Sequence, residues 1–73
     1  MRLYRLNDSG EPVRDIQDRL AALGYPTSPD PRGEFGDSTE AAVRLFQESR
    51  GLTTDGVVGP ETWRVLYEAG YRL

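Results

Sequence analysis

Neither cysteine nor histidine occurs in this chain of 73 residues, and all nine of its basic residues are arginine. Without cysteine there is no disulfide framework and no thiolate metal site. Without histidine, the commonest general base and the commonest zinc ligand are both missing. The residues suggest no cofactor. No apolar run approaches the length of a membrane span, so membrane insertion is not expected. The opening MRLYRLNDSGEP carries two arginines but no apolar stretch of the kind a secretory signal needs. Basic runs are absent as well. The arginines are scattered from Arg2 to Arg72, and 12 acidic residues leave a net charge of −3. A nucleic-acid binder normally shows a basic face or a basic balance, and this chain shows neither. The absence of lysine fits GC-rich codon usage and implies no mechanism.

What is present suffices for one small domain. Hydrophobic residues make up 37% and charged residues 29%, the balance of a folded globular chain. A domain of about 60 residues buries only about 60% of the surface its unfolded chain exposes, so the core must be small.

Three helices can be read from the pattern. In GEPVRDIQDRLAALG, Gly10 serves as N-cap and Pro12 sits in the first turn, where a missing N–H costs little. Val13, Ile16, Leu20 and Leu23 form one apolar stripe at helical spacing, and Gly24 ends the helix. Residues 25–36 contain three prolines and two glycines and read as a loop. A second helix is expected from Asp37 to Arg50, entered through Gly36 and stopped by Gly51, with Thr39, Ala42, Val43 and Phe46 inward. Asp55-Gly56 marks a turn, Pro60 opens a third helix, and Gly70 is expected to close it. Val57-Val58 is too short for a strand of its own, but suits a brief β-like pairing with Glu34-Phe35. The expected fold is all-α, a compact three-helix orthogonal bundle. Residues 1–9 read as an N-terminal extension, 10–70 as the domain and 71–73 as the start of a linker. The ending suggests an N-terminal module of a longer protein.

The helix entries repeat. At an offset of 23 residues, Gly33, Phe35, Gly36, Thr39, Ala42 and Val43 align with Gly56, Val58, Gly59, Thr62, Val65 and Leu66. The first glycine suits a positive φ. The apolar residue before the second glycine can staple the helix entry, and the threonine at N3 can reach back to the N-cap backbone, as Glu does in a capping box. These residues may be read as nothing more than helix launchers. Two like turns side by side would also line a shared groove.

The order V-x-x-I-Q-x-x-L-x-x-L-G-Y (Val13 to Tyr25), G-x-F-G-x-x-T-x-x-A-V-x-x-F-Q (Gly33 to Gln47) and G-L-x-x-D-G-V-V-G-P-x-T-W-x-x-L (Gly51 to Leu66) resembles the type 1 peptidoglycan-binding domain. The resemblance covers Gly10 to Tyr67. It implies a three-helix, non-catalytic module that binds bacterial cell-wall peptidoglycan or muropeptides beside a catalytic domain, often an amidase, peptidase or muramidase. The ending YEAGYRL is similar to modules in actinobacterial N-acetylmuramoyl-L-alanine amidases. The proline-rich segment from Tyr25 to Arg32 departs from the pattern. The lack of a signal leaves localisation open between the cell wall and the cytoplasm.

Such a ligand offers sugar C–H faces, amides and carboxylates. Tyr25, Trp63 and Tyr67 can supply aromatic surface, Gln17, Gln47 and Asp55 hydrogen bonds, and Arg50 or Arg32 a cation. The ligand-binding candidates are Tyr25, Gln47, Arg50, Asp55, Trp63 and Tyr67. Each has a structural alternative. Trp63 lies on a helical stripe and suits the core, the glutamine amides can tie loop backbone, and Asp55 can close its own Asx-turn. Independent catalysis is disfavoured, because no acid is placed for a raised pKa. A DNA-binding helix-turn-helix conflicts with the acidic balance. A protein–protein interaction module using the same groove is the remaining alternative. A monomer is expected.

Overall fold

The chain folds as three helices, α1 (Glu11–Ala22), α2 (Asp37–Ser49) and α3 (Pro60–Tyr71). A computed structural model describes residues 2–71, with side chains through Ala69. The linker expected at 71–73 lies mostly outside the described residues. α1 packs against both other helices. Among the described residues the only β structure is two isolated bridges, so the all-α expectation holds.

The stripes point where their spacing puts them. Val13, Ile16 and Leu20 of α1 meet Ala42, Val43 and Phe46 of α2 and Leu66 of α3. Phe35 and Val58, the apolar residues of the two helix entries, complete the buried set. Leu23 and Leu52 pack on its margin.

α1 and α2 end alike. The Gly24 N–H donates to the Ala21 carbonyl and Tyr25 N–H to Leu20. One helix later, Gly51 N–H donates to Glu48 and Leu52 N–H to Gln47. Gly24 and Gly51 take φ of 96° and 70°. This is the Schellman arrangement, which satisfies carbonyls that the helix leaves open. The residue after each glycine, Tyr25 or Leu52, folds back onto the core.

Three details differ from the expectation. The two turns do not pair with each other. Each pairs with the N-terminal segment instead. Tyr4 bridges Val58, with N–H to carbonyl distances of 3.1 and 2.8 Å in the two directions, and Ser9 bridges Glu34. The Phe35 N–H donates to Asp8, and the Asn7 N–H to Phe35. The leading segment therefore supplies the ladder partners that each short turn lacks. Second, α3 continues through Gly70. A helical glycine costs about 1 kcal/mol relative to alanine, and that penalty does not stop a helix by itself. Third, the Thr39 and Thr62 hydroxyls accept hydrogen bonds from glutamines on the preceding helices instead of reaching back to the N-cap backbone.

Candidate functional site

The repeated turns are each held by one buried glutamine from the helix before. Gln17 sits one residue after the core residue Ile16, and this places its amide at the first turn. Its Oε1 accepts from Gly33 N–H at 2.7 Å. Its Nε2 faces the Glu34 carbonyl at 2.9 Å, the Pro31 carbonyl at 3.2 Å and Thr39 Oγ1 at 3.0 Å. Gln47 follows Phe46 in the same way. Its Oε1 accepts from Gly56 N–H at 3.0 Å, and its Nε2 faces the Val57 carbonyl at 3.0 Å, Thr62 Oγ1 at 3.1 Å and Asp55 Oδ1 at 2.9 Å. The bridges to the N-terminal segment leave the Gly33 and Gly56 N–H groups to be satisfied elsewhere, and a primary amide supplies both a donor and an acceptor in one rigid plane. Among the described residues, no buried side-chain polar atom lacks a partner.

The turns differ in their carboxylates. Asp55 Oδ1 accepts from the Val57 N–H at 2.9 Å, an Asx-turn that also engages Gln47. The Val57 bond holds its pKa below the ordinary value. Desolvation opposes this, and Gln47 and the Arg44 charge reinforce it. Asp30, from the proline-rich loop, caps α2 from outside the helix. The Thr39 N–H donates to its Oδ2 at 2.6 Å. Desolvation pushes the Asp30 pKa up, but bonds from the Thr39 N–H and hydroxyl and from the Ser38 and Gly36 N–H groups together hold it below the ordinary value. The helix dipole favours the same anion. A Cβ on Gly36 would lie 2.5 Å from Asp30 Oδ1, so a side chain there displaces the carboxylate from its capping position. The sequence reading missed Asp30. Its only signal was an acid in a loop otherwise read for its prolines.

The six candidate residues do not form one cluster. Tyr25 is half-buried, edge-on to Phe46 with ring centroids 6.1 Å apart, and the exposed Arg50 guanidinium lies 5.2 Å from the same Phe46 ring. Tyr67 is half exposed under the Arg19 guanidinium, which stands 4.3 Å above its ring. Gln47 presents no surface to solvent. Asp55 borders a small hollow with Thr53, Val57, Gly59, Pro60, Glu61 and Thr62. The hollow at the first turn is lined separately, by Asn7, Asp8, Ser9, Pro31, Glu34, Phe35 and Gly36. The N-terminal segment lies against both turns, so no common groove follows from their pairing.

Trp63 occupies a different place. It is half-buried, packs on the core, and tilts against Tyr4 with centroids 6.5 Å apart and planes at 48°. The two rings border an open hollow of about 540 Å³, whose other walls are Glu11, Pro12, Arg14, Asp15 and Asp18 of α1. Tyr4 was not among the candidates. It was read as part of an extension, and only the tertiary fold sets it beside Trp63.

This chemistry suits binding. The two carboxylates with displaced pKa values move down, away from the range of a general acid. Among the described residues, no group of acids is arranged to hold a metal ion, and no helix is long and apolar enough to cross a membrane.

Known proteins share this plan. Residues 9–66 match the model of the family described as "Putative peptidoglycan binding domain". The zinc D-Ala-D-Ala carboxypeptidase of Streptomyces albus G is 44% identical over 63 residues, covering 82% of this chain and 24% of that protein. The N-acetylmuramoyl-L-alanine amidase CwlM of Mycobacterium tuberculosis is 40% identical over 78 residues, covering 94% and 19%. The chain thus spans a quarter or less of the length of these two relatives. The crystal structure of the SleB N-terminal domain superposes with a TM-score of 0.88 at 36% identity, covering 94% of this chain and 93% of that one. With the three helices, the two glutamine-held turns and this match together, the chain belongs to the peptidoglycan-binding domain family.

Proposed function

We propose that this chain is a non-catalytic module that binds bacterial cell-wall peptidoglycan and brings an attached cell-wall hydrolase to its substrate. The observation that carries this reading is the family match over residues 9–66. Two relatives support the targeting role. They are a carboxypeptidase and an amidase by name, and the matched segment forms only a minor part of each. The open shape of the hollows also suits a polymer, which no shallow site can enclose. In this reading Trp63 presents the main aromatic surface. Tyr25 with Arg50, and Tyr67 under Arg19, offer secondary contacts. Asp55 borders a minor hollow, and Gln47 acts by holding the turn beside it.

A shallow site of this kind binds weakly, with a Kd of about 10 μM to 1 mM. Attachment to a hydrolase and a repeating polymer raises the effective affinity. The test is co-sedimentation with purified, protein-free sacculi. The chain pellets with the sacculi, Trp63→Ala lowers the pelleted fraction strongly, and Tyr25→Ala lowers it modestly. If the folded chain pellets no better than an inert protein of the same size, the reading fails, and an interaction module with a protein partner takes its place.

A further inference from the structure

We infer that the hollow between Tyr4 and Trp63 takes the neutral N-acetylated glycan of the wall. This rests on the wall-binding reading above and assigns it to one place and one part of the polymer.

The argument starts with the rings. A sugar presents flat C–H faces, which pack on an aromatic face that is both accessible and held rigid. Trp63 is half-buried and packs against the core, which restrains its ring. The exposed Tyr67 carries a guanidinium 4.3 Å above its ring, which occupies a face a sugar would need, and Tyr25 is half-buried edge-on to Phe46. Tyr4 has the Arg2 guanidinium over its ring at 5.2 Å and serves as a side wall. Trp63 is left as the platform and Tyr4 as the edge that limits how a sugar can slide.

The rim supplies polar partners for a sugar. Its charged side chains are Glu11, Asp15, Asp18 and Arg14, and Arg19 and Arg32 pair with Asp15 and Asp18 from outside it. Asp18 is engaged through both oxygens by Arg32, at 2.7 and 2.8 Å. Asp15 receives Arg19 Nε on Oδ1 at 3.1 Å. Glu11 stands 3.9 Å from Arg14, beyond hydrogen-bond range. Asp15 is thus fixed in orientation, while Glu11 keeps open acceptor positions. Carboxylate oxygens accept from sugar hydroxyls and acetamido N–H groups.

Trp63 is the only tryptophan, so its fluorescence reports this hollow alone. The experiment titrates the whole chain with N-acetylglucosamine hexamer and, separately, with free stem peptide, beside the sacculus assay. The hexamer is expected to change Trp63 emission saturably, with an affinity nearly unchanged by added salt because the ligand is uncharged. The peptide leaves the emission unchanged. Glu11→Gln, an exposed substitution that leaves the fold intact, weakens the hexamer several-fold. A saturable response to the peptide but not to the hexamer overturns the assignment. So does silence from both ligands while sacculi still pellet the chain, since wall binding then uses another surface. Loss of sacculus binding as well overturns the wall-binding reading itself.

Discussion

Gln47 has no surface in contact with solvent, yet it determines the shape of a surface turn. Its amide meets one backbone N–H, one backbone carbonyl, one hydroxyl and one carboxylate. Replacing it with leucine keeps the bulk and removes the partner of the buried Gly56 N–H and Thr62 hydroxyl, which costs about 1–3 kcal/mol for a single unsatisfied group. Gln47→Leu is therefore expected to destabilise the fold by about 2 kcal/mol or more in urea unfolding, and Gln17→Leu similarly. Gly36 and Asp30 make a second test at this scale. Gly36→Ala forces a methyl into the Asp30 carboxylate and loses the external cap, worth about 1 kcal/mol. In an Asp30→Ala background that conflict is gone, so the alanine at 36 should cost much less. A cycle of these variants measures the coupling, and full additivity would contradict the contact.

Among the elements, the N-terminal segment has a larger part than its sequence advertises. It supplies the partner of Val58 through Tyr4 and those of Phe35 through Asn7 and Asp8. Removing residues 2–8 leaves both turns without these bonds and uncovers the flank of Trp63. The truncated chain is expected to lose at least about 1 kcal/mol of stability and to show Trp63 emission shifted toward that of an exposed indole. An unchanged unfolding midpoint would mean the segment only rests on the fold. The helices themselves were legible. Their stripes, the Pro60 start and the Gly24 and Gly51 stops depend on neighbours a few residues apart, and periodicity reports such neighbours. The turn pairing was not legible, because Val57-Val58 offers the same edge to any extended segment. Which one arrives first in space depends on the path of the whole chain.

For the whole molecule, the two lowered carboxylate pKa values set an acid limit. Asp30 and Asp55 each titrate below the ordinary 3.8 in the folded state. Above 3.8 both states are ionised, and the stability from these groups is fully present. As pH falls through that value the unfolded chain takes up protons first, and the contribution declines until the folded groups also protonate. Unfolding free energy is therefore expected to drop as pH falls below about 4, and Asp30→Asn should flatten part of that decline. The molecule extends only 25 × 22 × 20 Å, and the concavities described on its surface are open hollows. The candidate residues were chosen by chemical type, and type alone could not group them. Tyr25, Tyr67 and Trp63 are separated by the arginines and core residues each one packs against. Local order in the sequence determined the three helices, the stops of α1 and α2, the core stripes and the family, because each rests on short-range spacing. The tertiary structure alone decided that Gln17 and Gln47 become latches, that Asp30 caps a helix seven residues further on, and that Tyr4 stands beside Trp63. Those relations join parts of the chain that no sequence period connects, and only packing brings them within hydrogen-bond or ring-contact distance.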